Sequence, residues 1–285
     1  MLSAEKSEPG LTVKIDIGDR CGDPLIRDII ACYVAGYRII EVTSSAMSSV
    51  QKKDIHQIVN KLIGPEILEE SRNKITIQDL LSSEDLQVER ALKRIRTMVK
   101  SMIQDSVTSL VNHDQDIACD VLQRDNDVDR LNLLIAREFT EILRSGSIRK
   151  ETNAITALNY MLASSNLERM ADHASRIAEV SSQHTCELPD EITDELVSLA
   201  SALGFLIDEA IGVLTDADSQ KANEMIDKVG EARARSQIMA NSSQVKSREE
   251  MMVRLVVLSS IERMLDYLNN IGELTINICN ANLDA

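Results

Sequence analysis

Residues 166–179 read NLERMADHASRIAE, and residues 260–273 read SIERMLDYLNNIGE. Glu168, Arg169, Met170, Asp172, Ile177 and Glu179 recur 94 positions later as Glu262, Arg263, Met264, Asp266, Ile271 and Glu273. At about 100° per residue, Glu168, Asp172 and Glu179 fall within roughly 40° of one another on a helix. They form one acidic stripe beside an apolar face of Leu167, Met170, Ala171, Ala174, Ile177 and Ala178. Like charges four apart destabilise a helix by about 0.2–0.5 kcal/mol. A solvated surface tolerates that penalty, and a bound cation reverses it. Carboxylates so spaced can converge on hard metal ions such as iron, zinc, manganese or magnesium. A solvated acidic face is the plainer reading of one such motif. Two copies, each with a third acid seven residues after the aspartate, put the metal-ligand reading level with the solvated face.

Further acids stand upstream of each copy. RDNDVDRL places Asp125 and Asp129 four apart, with Asp127 between them. The counterpart NEMIDKVGEAR carries Glu224, Asp227 and Glu231, with Gly230 where an acid would complete the match. His173 follows Asp172 and is a possible ligand, although a helix-packing histidine is the plainer reading. Tyr267 stands at the repeated position. His56, His113 and His184 lack metal-ligand spacing to one another. The methionines at helical spacing read as core filler.

The elements that carry these acids are long helices. From Ser82 onward the apolar period is 3.6, and helices are predicted near 83–113, 115–144, 153–183, 190–214, 217–241 and 246–282. Ser83, Asn153 and Asp190 are candidate caps, with RSGSIRKET and NSSQVKS as polar connections. Helices about 45 Å long must pack lengthwise on partners. With the echo in the third and sixth helices, the region reads as two three-helix bundle repeats in tandem, about 82–186 and 187–285.

Residues 11–81 read as a small α/β domain with element order βαβαββ. LTVKIDI alternates Val13, Ile15 and Ile17 against polar residues, the period of a half-buried strand. Asp23 and Pro24 suit a helix start, and Gly36 a helix end. RIIEVTS is a second strand. Ile55, Ile58, Val59, Leu62 and Ile63 trace a helical stripe that Gly64-Pro65 stops. EILEESRNKITIQDLL reads as a hairpin turning near Arg72-Asn73.

Composition narrows the function. The chain is 44% hydrophobic but only 2% aromatic, so its core is aliphatic, and few Gly and Pro favour helices. A formal net charge of −15 argues against nucleic acid as a partner. Five dispersed cysteines without a C-x-x-C pair read as reduced thiols of a cytosolic protein. MLSAEKSEPG lacks the apolar core of a signal peptide, and no run of about 18 apolar residues suggests membrane insertion. A ferritin-like di-iron enzyme needs Glu-x-x-His pairs. No Glu lies three residues before any of the four histidines. A P-loop, a nucleophile elbow and H-E-x-x-H are absent as well, so no enzyme is expected. A carboxylate-bridged metalloenzyme is the remoter alternative to a metal-free helical interaction module.

Two three-helix repeats, each with E-x-x-x-D on its third helix, resemble the PhoU family of phosphate-uptake regulators. LERMADHASRIAE carries the resemblance most specifically, and RDNDVDRLNLLIAREF supports it. LIGPEILEESRNKITIQDLL resembles the segment that precedes the repeats in archaeal members, so the likeness runs from about residue 11 to 282. It implies a mostly α fold: a PhoU-like six-helix domain behind a small α/β domain. It further implies a cytoplasmic negative regulator of phosphate import and phosphate homeostasis, which contacts the importer's ATPase subunit or a sensor kinase. A homo-oligomer, first of all a dimer, is expected. The resemblance implies that the E-x-x-x-D acids, Glu168 and Asp172 in the first motif and Glu262 and Asp266 in the second, bind iron or zinc, with manganese or magnesium as further candidates and with Asp125, Asp129 and Asp227 contributed by neighbouring helices. Archaeal relatives often carry an AbrB-like DNA-binding segment. The ten residues before LTVKIDI are too few for it, which implies no direct DNA binding by this chain.

Overall fold

The computed structural model describes residues 11–81, 88–145, 154–184, 186–241, 245 and 247–281. Its elements are β1 (Thr12–Asp16), α1 (Asp23–Val34), β2 (Ile39–Thr43), α2 (Ser49–Lys61), β3 (Pro65–Glu70) and β4 (Lys74–Asp79). Six helices follow: α3 (Val88–Asn112), α4 (Gln115–Ser145), α5 (Ala154–Gln183), α6 (Asp190–Asp216), α7 (Ser219–Asn241) and α8 (Arg248–Ala281). The mostly helical architecture with a small α/β part in front is thus the one the sequence predicts. The chain forms two compact units. Residues 133–145 of α4 belong with the α/β unit, and its earlier residues with the helical unit.

In the α/β unit the strands run in the order β1-β2-β4-β3. β1 and β2 are parallel, and β4 is antiparallel to both β2 and β3. Ile17, Ile40, Val42, Ile75 and Ile77 from the strand segments meet Leu25, Ile29, Ile55 and Val59 from α1 and α2. Asp23 begins α1 but does not cap it: Gly22 takes the cap position at φ 62°, and its N–H donates to Asp54 Oδ2 at 2.6 Å. Ser48 and Gln51 form a reciprocal capping box at the start of α2. Arg137 of α4 is sunk in this unit, 1% exposed. It donates to the Tyr33 and Tyr37 carbonyls and pairs with Asp79 at 2.6 Å and Glu141 at 3.2 Å. Gly64, at φ 100°, gives Asp79 its place, because a Cβ there would lie 2.5 Å from Asp79 Oδ1.

The helical unit is a duplication visible in its packing. Buried Leu92, Ile95, Val99, Met102, Ile103 and Val107 of α3 recur 104 positions later as buried Leu196, Leu199, Leu203, Leu206, Ile207 and Ile211 of α6. Ala118, Val121 and Val128 of α4 recur at the same shift as Ala222, Met225 and Ala232 of α7. From α5 to α8 the shift is 94, carrying Leu167, Met170, Ala174 and Ile177 onto Ile261, Met264, Leu268 and Ile271. Polar links repeat too. Arg124 bonds Asp105 at 2.6 Å and Ser101 at 2.7 Å. Lys228 correspondingly bonds Glu209 at 2.5 Å and lies 5.7 Å from the Phe205 ring.

Equivalent helices of the two halves also meet one another. Asp208 of α6 pairs with Arg96 and Lys100 of α3, while Gly204 lies against Lys100 and Gln104. Asn270 of α8 donates to Asn166 of α5 at 3.2 Å, and the rings of His173 and Tyr267 stand 5.9 Å apart. In each pair the contacts advance along one helix as they retreat along the other, so equivalent helices cross antiparallel. α6 is long and apolar enough to cross a membrane by length and composition. Leu196, Leu199, Leu203, Leu206, Ile207 and Leu214 are instead buried within the helical unit. Asp190 does not cap α6, because Pro189 takes that position without a side-chain bond. Ser83 and Asn153 lie outside the described residues.

Candidate metal centre

Helix α5 turns its apolar face inward as the period requires: Leu167, Met170, Ala171, Ala174, Ile177 and Ala178 are all fully buried. Its acidic stripe lies beside that face and meets α4. Glu168 is half-buried, and Asp172 and Glu179 are exposed at the rim. From α4 come half-buried Asp125 and exposed Asp129. Four residues apart is about 40° on a helix, so Asp125 and Asp129 share one face.

The carboxylates feel one another. Burial, then the charges of Asp129 and Asp172, push Asp125 up to about 6; the Ser175 hydroxyl offsets part of this. Burial, then Asp172 and Asp129, push Glu168 up to about 7, with Arg169 pulling partly back. Burial also raises Asp172 against the pull of Arg169. Asp125 Oδ1 is buried without a hydrogen-bond partner. Four of the residues singled out by spacing, Asp125, Asp129, Glu168 and Asp172, therefore form one electrostatic cluster. Glu179 joins it, since its charge is felt at Asp125. The cluster is an open ridge: among the described residues no three His, Cys, Asp or Glu side chains gather closely enough to form a metal cage.

The second half is built otherwise. Asp266, equivalent to Asp172, pairs with Arg233 of α7 at 2.8 Å and lies 3.5 Å from Arg263. Glu273, equivalent to Glu179, accepts from Asn269 at 2.8 Å. Glu262 is half-buried one turn before Asp266. Asp227 does not join them: it is exposed and lies about 120° around α7 from Arg233. By the 104-residue shift its counterpart is Gln123, whereas Asp125 and Asp129 correspond to Val229 and Arg233. The expectation that Asp227 stands beside Glu262 and Asp266 is corrected by that placement.

His173 behaves as a packing histidine. Its ring lies against Tyr267, its Nδ1 is buried without a partner, and burial with nearby Arg176 and Arg263 lowers its pKa. Spacing missed Ser175 of the first-half ridge and Arg233 of the second half. Ser175 sits inside the acidic stripe, where its serine type gives no signal. Arg233 becomes visible once α4 and α7 are aligned at their own shift.

Six helices in two equivalent halves, with an acidic ridge in the first, define a class of duplicated helical-bundle proteins. Residues 92–181, which hold the whole ridge, match the PhoU domain family model. Over that stretch the chain is PhoU-like. It is 33% identical over 102 residues to the phosphate-specific transport system accessory protein PhoU homolog 1 of Thermotoga maritima, covering 35% of this chain and 42% of that protein. The PhoU homolog of Synechocystis sp. is 22% identical over 192 residues, covering 65% of this chain and 85% of its own length. PhoU from Pseudomonas aeruginosa superposes with a TM-score of 0.54 at 22% identity, over 70% of this chain and 97% of that one. The phosphate transport system regulatory protein PhoU from Streptococcus pneumoniae gives 0.56 at 18%, over 67% and 92%. At these identities the two structures bear on the fold alone.

Proposed function

We propose that this chain is a cytoplasmic, metal-binding regulator of phosphate uptake, acting by protein–protein contact rather than by catalysis. The relatives named as phosphate-transport accessory proteins support the regulatory reading. Its partner is the ATPase subunit of a phosphate importer or a phosphate-responsive sensor kinase. The observation that carries the metal reading is the first-half ridge. Burial and the charges of neighbouring carboxylates oppose the ionisation of Asp125 and Glu168, and burial opposes that of Asp172, with Asp129 and Glu179 beside them. Such a set gains from a bound cation, and oxygen donors suit iron, zinc, manganese or magnesium with waters completing the shell. Asp125 and Asp129 would hold the ion from α4, and Glu168 and Asp172 from α5. The metal would supply fixed positive charge on an otherwise acidic surface.

The test is to load purified protein with iron, zinc or manganese, desalt it, and measure retained metal. Wild type is expected to retain metal, and Glu168→Ala with Asp172→Ala to lose most of it. Equal retention by the double variant removes these residues as ligands. A metal-free interaction module is the second reading, favoured by the openness of the ridge, and it expects background retention from both proteins. For the regulatory role, cells lacking the protein should misregulate phosphate import. Unchanged uptake in phosphate-rich and phosphate-poor medium contradicts that role.

A further inference from the structure

Helices α6 and α7 leave between them an open groove of about 260 Å³. Leu206 and Ala232, both buried, form its floor, and Ala202 and Phe205 line the α6 side. Phe205 is 62% exposed, although the whole chain has only two phenylalanines. The groove belongs to the second half. At the 104-residue shift, Ala202 and Ala232 stand where the first half carries the larger Met98 and Val128. Phe205 stands where Ser101 accepts a hydrogen bond from Arg124 at 2.7 Å. Small residues leave the space, and an exposed aromatic ring borders it.

Charge along the groove is unbalanced. The α7 cations Lys221, Lys228 and Arg235 pair with Asp218, Glu209 and Glu195. Glu224, Glu231 and Ile238 lie within about 20° of one another on α7, all exposed beside the groove. Glu224 accepts from the neutral Gln220 at 3.1 Å. Around the groove, Glu195, Glu209, Glu224 and Glu231 outnumber Lys228 and Arg235.

We propose that this groove docks a basic amphipathic helix of a partner protein. An apolar side chain of that helix enters beside Phe205, and its lysines or arginines meet Glu224 and Glu231. The proposal rests on the reading of the chain as a regulator that works by protein–protein contact, and it is independent of metal binding at the first-half ridge. Size argues for a side chain over a small molecule, because about 260 Å³ is below the roughly 300–1,000 Å³ of small-molecule sites. A space open between two helices matches helix-in-groove recognition. Charge argues against a second copy of this chain, which would bring a net −15 to an acidic rim. Glu224 to Ile238 spans about 21 Å of α7, so the docked helix needs about 14–16 residues.

The experiment uses the full chain and a fluorescein-labelled peptide of that length, an amphipathic helix with a leucine stripe flanked by lysines. Anisotropy titrations compare wild type with Phe205→Ser, which installs the first half's residue, and with Ala202→Met, which fills the groove. Each should weaken binding at least about tenfold, as loss of a central anchor does. Glu224→Gln with Glu231→Gln should weaken it about threefold and flatten its dependence on salt. Leu255→Ser removes an equally exposed apolar residue of α8, 66% exposed, and should leave binding unchanged. No binding by wild type overturns the proposal. So does equal binding of a peptide with glutamates for lysines, or an equal loss in Leu255→Ser. In cells, Phe205→Glu should disturb phosphate uptake as deletion of the protein does. Uptake disturbed by deletion but not by Phe205→Glu overturns the groove and leaves the regulatory reading standing. Uptake unchanged by deletion overturns the regulatory reading, and the titrations then decide the groove by themselves.

Discussion

The two halves of the helical unit share an ancestor pattern and differ where charge meets charge. In the first, α4 brings Asp125 and Asp129 toward Glu168 and Asp172, and Arg169 and Ser175 offset only part of the burial and repulsion at Glu168 and Asp125. In the second, α7 brings Val229 and Arg233, and Asp266 has its partner within the chain. Folding alone favours the second arrangement, because a buried or crowded carboxylate without a counter-charge opposes ionisation. This contrast between the copies is what the proposed cation site in the first half rests on. The surrounding frame is the same in both, since the ion pair of Arg124 and Asp105 recurs as Lys228 and Glu209. The difference therefore lies in a few facing residues and not in the architecture.

The largest effect separates the two ridges directly. Glu168→Gln with Asp172→Asn should weaken metal affinity by more than roughly 100-fold, beyond the loss typical of outer-shell changes. Glu262→Gln with Asp266→Asn should leave it within about threefold, inside the context dependence of ordinary surface changes. Calorimetric titration with manganese or zinc measures both. Comparable losses from the two pairs would mean that the halves act alike and that the ion pair at Asp266 opens on binding.

Next in size is a packing difference. Gly272 of α8 lies where a Cβ would come within 2.7 Å of Ile226 Cγ1 and 2.9 Å of Met225 Cε on α7. The equivalent residue in the first half is Ala178, fully buried. Gly272→Ala should destabilise the protein by about 1–3 kcal/mol through overpacking, read from urea unfolding. A neutral result would show that α7 and α8 part as easily as alanine already requires of α4 and α5.

Much of this arrangement was legible in the sequence, for reasons that particular residues show. The α5 face from Leu167 to Ala178 follows from a 3.6 period alone, and its burial is as expected. The hairpin turn near Arg72-Asn73 separates β3 from β4, as its polar residues between two apolar runs imply. The helix starts at Asp23 and Asp190 misled because capping propensity names good candidates, while Gly22 and Pro189 hold the cap positions by chain geometry. The change of company along α4 left no trace either. Leu133 to Arg144 continue the same helical period while their surroundings become those of the α/β unit. Arg233 escaped because the shift between halves is 104 for the first two helices of each repeat and 94 for the third. An alignment anchored on the echo therefore sets Arg233 ten positions away from Asp129.

Acid titration gives the third prediction. Glu168 at about 7 and Asp125 at about 6 in the folded protein exceed the ordinary carboxyl range near 4. Between about pH 4 and 7 the folded state therefore holds protons that the unfolded chain has released, and stability falls as pH rises through that window. In metal-free protein the urea midpoint should rise from pH 8 to pH 6 because of this cluster. Glu168→Gln should flatten that slope, and Glu262→Gln should leave it in place. A slope that follows Glu262 instead would assign the strained carboxylate to the wrong half.

The smallest effect has the most telling sign. Asp266 loses an attractive partner when it becomes Asn, and the pair with Arg233 is partly exposed, so Asp266→Asn should cost about 0.2–1 kcal/mol. Asp172→Asn removes a charge that raises both Asp125 and Glu168, so in metal-free protein the same chemical change should stabilise by a similar small amount. Adding metal should reverse the first-half result, because the neutral amide then gives up an ion contact, and should leave the second-half result unchanged. Urea unfolding of the two variants at pH 7.5, with and without manganese, reads all four values. Equal signs in the absence of metal would show that α4 and α7 present the same field to their neighbours, and the asymmetry argued from Asp129 and Arg233 would have no energetic content.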